Sequence, residues 1–90
     1  RIANAYGFLG DVYQIIGNLN KALECHLTAN KIYFNLLQKD AFFLNKYNFI
    51  ISHEKLGEIY TSLGNLGKAS EFYEIDNKLF KELYDTYPNN

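Results

Sequence analysis

Residues 6–26 read YGFLGDVYQIIGNLNKALECH, and residues 53–73 read HEKLGEIYTSLGNLGKASEFY. Laid over one another at an offset of 47 residues, Leu9, Gly10 and Tyr13 fall on Leu56, Gly57 and Tyr60. Gly17, Asn18 and Leu19 fall on Gly64, Asn65 and Leu66, and Lys21, Ala22 and Glu24 on Lys68, Ala69 and Glu71. Asn30, Lys31 and Leu36 still keep step with Asn77, Lys78 and Leu83. A register held this long marks an internal repeat, and a fixed period of about 20–50 residues belongs to arrays built from one supersecondary unit.

Each copy reads as a helix, a tight turn and a second helix. Tyr6, Leu9, Gly10, Tyr13 and Ile16 recur at helical spacing up to Gly17, a residue suited to the left-handed position that ends a helix. Beyond it Ala22, Cys25, His26, Ala29, Ile32, Tyr33, Leu36 and Leu37 step by three or four, which makes one apolar stripe along a second helix. In the second copy Phe43, Ile50, His53, Leu56, Gly57, Tyr60 and Leu63 lead to Gly64. Leu66, Ala69, Phe72, Tyr73, Leu79, Phe80, Leu83 and Tyr84 then run to a stop before Pro88. The spacing predicts an all-α chain with helices over 2–16, 20–38, 42–63 and 67–86, paired as antiparallel hairpins within an α-solenoid. One domain of 90 residues follows, repeat 1 spanning 1–40 with a truncated first helix and repeat 2 spanning 41–90.

Composition limits what such a chain can do. An apolar fraction of 48% with 17% aromatic residues is enough to build a core. A formal net charge of −1 offers no electrostatic footprint for a phosphate backbone, so nucleic acid is not expected as a partner. No apolar run approaches the ~18 residues of a membrane span, and no basic segment precedes an apolar one as in a signal peptide. A cytoplasmic location is the expectation, and the single Cys25, unable to form an internal disulfide, agrees with it. The absence of methionine and the start within a helical pattern point to a piece of a longer protein.

The pattern aromatic-x2-Leu-Gly-x2-Tyr followed by Ala-x3-aromatic resembles the tetratricopeptide repeat. The first match is Tyr6, Leu9, Gly10, Tyr13, Ala22 and His26; the second is His53, Leu56, Gly57, Tyr60, Ala69 and Tyr73. Gly10, Ala22, Gly57 and Ala69 are small where the helices of a hairpin are expected to cross. A period of 47 exceeds the family's usual ~34 by 13 residues, which are expected to lengthen both helices of each hairpin. The chain is therefore similar to the long-helix variety of the repeat, as in kinesin-light-chain-like arrays. Asp76 stands where the first copy has Ala29, on a face expected to meet a following repeat.

Residues with chemical potential have structural explanations. His26 and His53 occupy aromatic positions of the pattern and lie in no cluster with metal-ligand spacing, so neither a metal nor another cofactor is expected. Cys25 and His26 are adjacent on a helix and point about 100° apart, which makes proton sharing between them poor. Tyr13, Tyr33, Tyr60, Phe72, Tyr73, Phe80 and Tyr84 fall on the apolar stripes and are read as core. Glu54 with Glu58, and Glu71 with Glu74, read as solvated helix faces rather than acid–base pairs. No constellation for catalysis is visible, so the segment is not read as an enzyme.

The resemblance implies a protein-binding scaffold or adaptor whose first helices line a concave groove. Carried over position by position, that groove comprises Asn4, Gly7, Phe8, Asp11, Gln14 and Ile15 in the first repeat. In the second it comprises Ile51, Glu54, Lys55, Glu58, Thr61 and Ser62. Asp11 and Glu58 stand where the carboxylate-clamp subclass needs Lys or Asn, so that clamp is not expected here. Three acidic residues against Lys55 imply an acidic groove for a basic peptide or helix, with Asp11 and Glu58 solvent-facing. The alternative is a peptide- or ligand-sensing domain of a larger signalling protein or enzyme. With two repeats and no evident polar cap, the isolated chain is expected to self-associate.

Overall fold

The computed structural model describes residues 2–88. Arg1, Asn89 and Asn90, which the expected repeat spans include, lie outside the described residues. Four helices follow one another: α1 (Ile2–Ile16), α2 (Leu19–Lys39), α3 (Phe43–Ser62) and α4 (Leu66–Thr86). The described residues contain no strand. Every helix boundary falls within one residue of the sequence expectation, the margin by which fraying ends ordinarily shift.

The repeated Gly-Asn pair builds both hairpin turns. Gly17 and Gly64 adopt φ of 94° and 83°, the left-handed region that only glycine enters without steric cost. The chain then doubles back through Asn18 N–H donating to the Tyr13 carbonyl, and Asn65 N–H to that of Tyr60, each at 2.9 Å. One residue later the same asparagines start the next helix. The Asn18 side chain accepts from Lys21 N–H at 3.2 Å and that of Asn65 from Lys68 N–H at 3.1 Å, satisfying donors that a helix start leaves free.

The hairpins close over small residues. Ala22 and Ala69 are buried at the crossings. A Cβ on Gly10 would lie 2.7 Å from His26 Nε2, and one on Gly57 would lie 2.8 Å from Tyr73 Cε1. The glycines thus let a ring from the second helix rest on the backbone of the first. His26 and His53 are both buried, as their aromatic positions imply.

α2 packs against α1 and α3, and α3 against α2 and α4. Held on two sides, α3 buries Ile50, Ser52, His53, Leu56, Gly57 and Ile59. An aromatic series ties these layers together. Phe34 meets Phe49 at 5.8 Å between ring centroids, Phe49 meets His53 at 4.5 Å, and Phe72 lies 5.6 Å from both His53 and Tyr60. The residues beyond the usual period prolong helices: α2 continues to Lys39, and α3 starts at Phe43 and passes Lys46 unbroken. Their rings pack along the edge of the second hairpin, Phe43 meeting Tyr87 at 5.2 Å and the exposed Tyr47 meeting Phe80 at 6.2 Å.

Several sequence expectations change, and the stripe residues Leu36, Leu63 and Leu66 are exposed. On α1 the stripe residues Tyr6, Leu9 and Ile16 are exposed, because among the described residues nothing lies on that helix as α2 lies on α3. Tyr84 is exposed at the edge, its ring beside that of Phe80. Asp76 needs no following repeat to cover it: with α3 and α4 alone it is only 7% exposed.

Candidate functional site

The first helices of the two hairpins share one face of the molecule. Gln14 on α1 donates to Glu58 on α3 at 3.5 Å, and Lys55 Nζ on α3 lies 3.3 Å from Asp11 Oδ1 on α1. Between them opens a cleft of about 140 Å³. Of the groove residues expected from the sequence, Asn4, Gly7, Phe8 and Asp11 line it from α1, and Ile51 and Lys55 from α3. The others lie outside it. Glu54 and Glu58 are half-buried along α3, Thr61 donates its hydroxyl to the Gly57 carbonyl at 2.8 Å, and Ser62 is exposed. Ile15, 85% exposed, stands clear of the cleft.

Asp11 is not the free surface charge expected of it. Its Oδ1 is sealed from solvent between Lys55 Nζ and His26 Nε2, the latter at 3.4 Å. One carboxylate therefore joins α1, α2 and α3. Burial holds the His26 pKa below its ordinary value against the pull of Asp11, so the ring is neutral near pH 7. With Lys55 engaged by Asp11, the acidic character of the face shifts to the second hairpin, to Glu54 and Glu58.

The floor of the cleft comes from α2, which the repeat positions did not single out. His26, Ala29 and Tyr33 form it, and the Tyr33 hydroxyl donates to the Asn4 side chain. Asn30 locks the hairpins together from beside it. Its amide nitrogen donates to Ser52 Oγ at 2.8 Å and lies 3.0 Å from His53 Nδ1, while Ser52 passes its own proton to the Phe49 carbonyl at 2.6 Å. His53 Nδ1 also lies 3.2 Å from the Phe49 carbonyl, so the ring nitrogen is held between that oxygen and the Asn30 amide. Burial lowers the pKa of His53 as well. The recurrence of Asn30 as Asn77 is the sequence signal that marks this residue.

The second hairpin carries an unbalanced acid. Asp76 Oδ1 is buried without a hydrogen-bond partner among the described residues. Burial, and after it the nearby charge of Glu54, push the Asp76 carboxyl up to about 6. Burial raises the Cys25 thiol above its ordinary value, which leaves it protonated and unreactive. Among the described residues no three His, Cys, Asp or Glu side chains are grouped to hold a metal, and no helix is long and apolar enough to cross a membrane.

Stacked antiparallel hairpins whose first helices share a face define a helical-repeat scaffold. The family model described as Tetratricopeptide repeat matches residues 3–36 and 52–74, more than half of the chain, which belongs to that family. The first matched segment, ending at Leu36, leaves the added ends of α2 and α3 outside the match. No curated protein and no solved structure matches the chain. Tetratricopeptide repeats generally serve as protein–protein interaction modules and are typically non-enzymatic.

Proposed function

We propose that this chain is a non-catalytic interaction module whose α1/α3 face holds a peptide or helix of another protein. The observation that carries the reading is the open cleft between Phe8 and Ile51, bordered by a fixed polar lattice. Its volume of about 140 Å³ suits one side chain and falls well below the ~300–1,000 Å³ of small-molecule sites. An apolar anchor of a partner would enter between Phe8 and Ile51. Basic residues C-terminal or N-terminal to that anchor would then lie along Glu54 and Glu58, where complementary charge speeds encounter more than it deepens affinity. The hydrogen bonds that join α1, α2 and α3 keep the face preorganised, so little ordering is needed on binding.

Selection of peptides from a random library displayed on phage tests this reading. The expected binders carry an apolar residue flanked by Lys or Arg, and Ile51→Arg on the chain weakens them at least tenfold without altering its helical spectrum. Binders without basic residues, or binders indifferent to Ile51→Arg, would remove the groove assignment.

A further inference from the structure

The ends of the lengthened helices build a cavity of their own. α2 and α4 both pack on α3, and between their C-terminal ends they leave a hollow of about 350 Å³. Leu37 from α2, Phe49 and Ile50 from α3, and Leu79 and Leu83 from α4 form its apolar wall, with Ala41 of the connection at its end. Every residue that lines it lies outside the segments 3–36 and 52–74, so the cavity is not part of the matched repeat. The wall is set before anything binds: Ile50 and Leu83 are buried, and the Phe49 ring is fixed between those of Phe34 and His53.

Two opposite charges stand at the rim without pairing. Lys46 on α3, half-buried, and Glu82 on α4, exposed, both line the cavity, yet the ion pairs among the described residues are those of Asp11 with Lys55 and His26. The Lys46 ammonium lies instead over the Tyr87 ring, 5.8 Å from its centroid. Thr86, the other polar side chain of the lining, is already committed, its hydroxyl donating to the Glu82 carbonyl at 2.9 Å. The volume falls at the lower end of the ~300–1,000 Å³ of small-molecule sites, whose usual form is an apolar wall with a few placed polar groups. We infer that this cavity binds a free α-amino acid with a large apolar side chain. The carboxylate of the amino acid pairs with Lys46, its ammonium with Glu82, and its side chain lies on Phe49, Ile50 and Leu79. An apolar acid brings a second negative charge to Glu82, and an apolar amine a second positive charge to Lys46, so the rim selects against both. The bound molecule touches α2 of the first hairpin as well as α3 and α4 of the second, and therefore stabilises their stacking.

The cavity shares no lining residue with the α1/α3 cleft, so this reading and that of the groove fail separately. Calorimetric titration of the whole chain with L-phenylalanine tests it. The comparison ligands are phenylpropionate, which lacks the ammonium, phenethylamine, which lacks the carboxylate, and N-acetylphenylalaninamide, which lacks both charges. Phenylalanine is expected to bind about tenfold more tightly than any of the three, a difference within the range of one charge-assisted contact, and to raise the thermal midpoint. Lys46→Gln should weaken phenylalanine about tenfold while sparing phenethylamine. Glu82→Gln should weaken it as much while sparing phenylpropionate, a crossed pattern that mere damage to the fold does not produce. Ile51→Arg in the cleft should leave all four ligands unaffected. Absence of phenylalanine binding up to its solubility limit, or equal binding of the acid or the amine, would overturn the inference. Equal binding of the acetylated amide would make the cavity a seat for a side chain of a partner protein, and loss of phenylalanine through Ile51→Arg would move the ligand to the cleft; either result overturns it as well.

Discussion

At the residue scale the repeat permits a controlled comparison, because position 76 holds a carboxylate where its counterpart, position 29, holds alanine. The folded pKa of Asp76, about 6, lies above the ordinary 3.8 because burial and Glu54 both disfavour the charge. Between those values the folded state binds the extra proton, so this residue's contribution to stability is greatest below pH 4 and is lost as pH rises through 6. His26 and His53 act in the opposite sense: their pKa values are lowered by burial, and the stability they support falls away as pH drops below about 6.5. Asp76→Ala isolates the first effect. At pH 7 the variant should be more stable by about 1–3 kcal/mol, the cost of keeping a desolvated carboxylate charged beside Glu54. Urea unfolding at several pH values should show that margin shrinking through pH 6. Near pH 4 only alanine's helix preference should remain, roughly half a kcal/mol. A margin independent of pH would mean that Asp76 is not desolvated. The substitution of Asp76 for Ala29 was visible in the sequence, but its burial was not. Spacing placed it toward a following repeat, whereas α3 and α4 alone enclose it.

At the element scale each helix crossing depends on a glycine, and the two crossings differ in how firmly the facing ring is held. An added Cβ at Gly10 would press on the ring of His26, which is fully buried and fixed near Asp11. At Gly57 it would press on Tyr73, which is half-buried and able to tilt outward. Gly→Ala within a helix gains about 1 kcal/mol of helix preference, while overpacking a rigid core costs about 1–3 kcal/mol. Gly10→Ala should therefore destabilise the chain, and Gly57→Ala should leave it nearly unchanged. Equal shifts in thermal midpoint would refute this ranking. The helices, their turns and these close approaches were legible because they depend on residues within one repeat: Leu-Gly-x2-Tyr, Gly-Asn, and Ala about one turn into the second helix. The bridge from Asp11 to Lys55 was not legible. It joins different hairpins 44 residues apart, and repeat positions alone read both residues as groove-facing.

At the scale of the molecule the two outer faces differ, and α1 shows what an uncovered first helix looks like. Leu56 and Ile59, on the side of α3 that α2 covers, are fully buried, while their counterparts Leu9 and Val12 on α1 are 45% and 50% exposed. Ile2 and Ile16 continue the same strip at 72% and 70% exposure. The single charge of α1, Asp11, is paired with Lys55 on α3. An apolar strip without charge is the kind of surface that associates in solution. Static light scattering from micromolar to millimolar concentration should record a rising average mass. Val12→Glu combined with Ile16→Lys should return it to that of a single chain, with helicity unchanged. Exchange of whole hairpins through the 40–42 connection predicts a different result. A swapped dimer buries the same hairpin contacts as the monomer, so it would survive the double substitution and dissociate slowly on dilution. A single-chain mass for the wild type at millimolar concentration would contradict both forms of self-association.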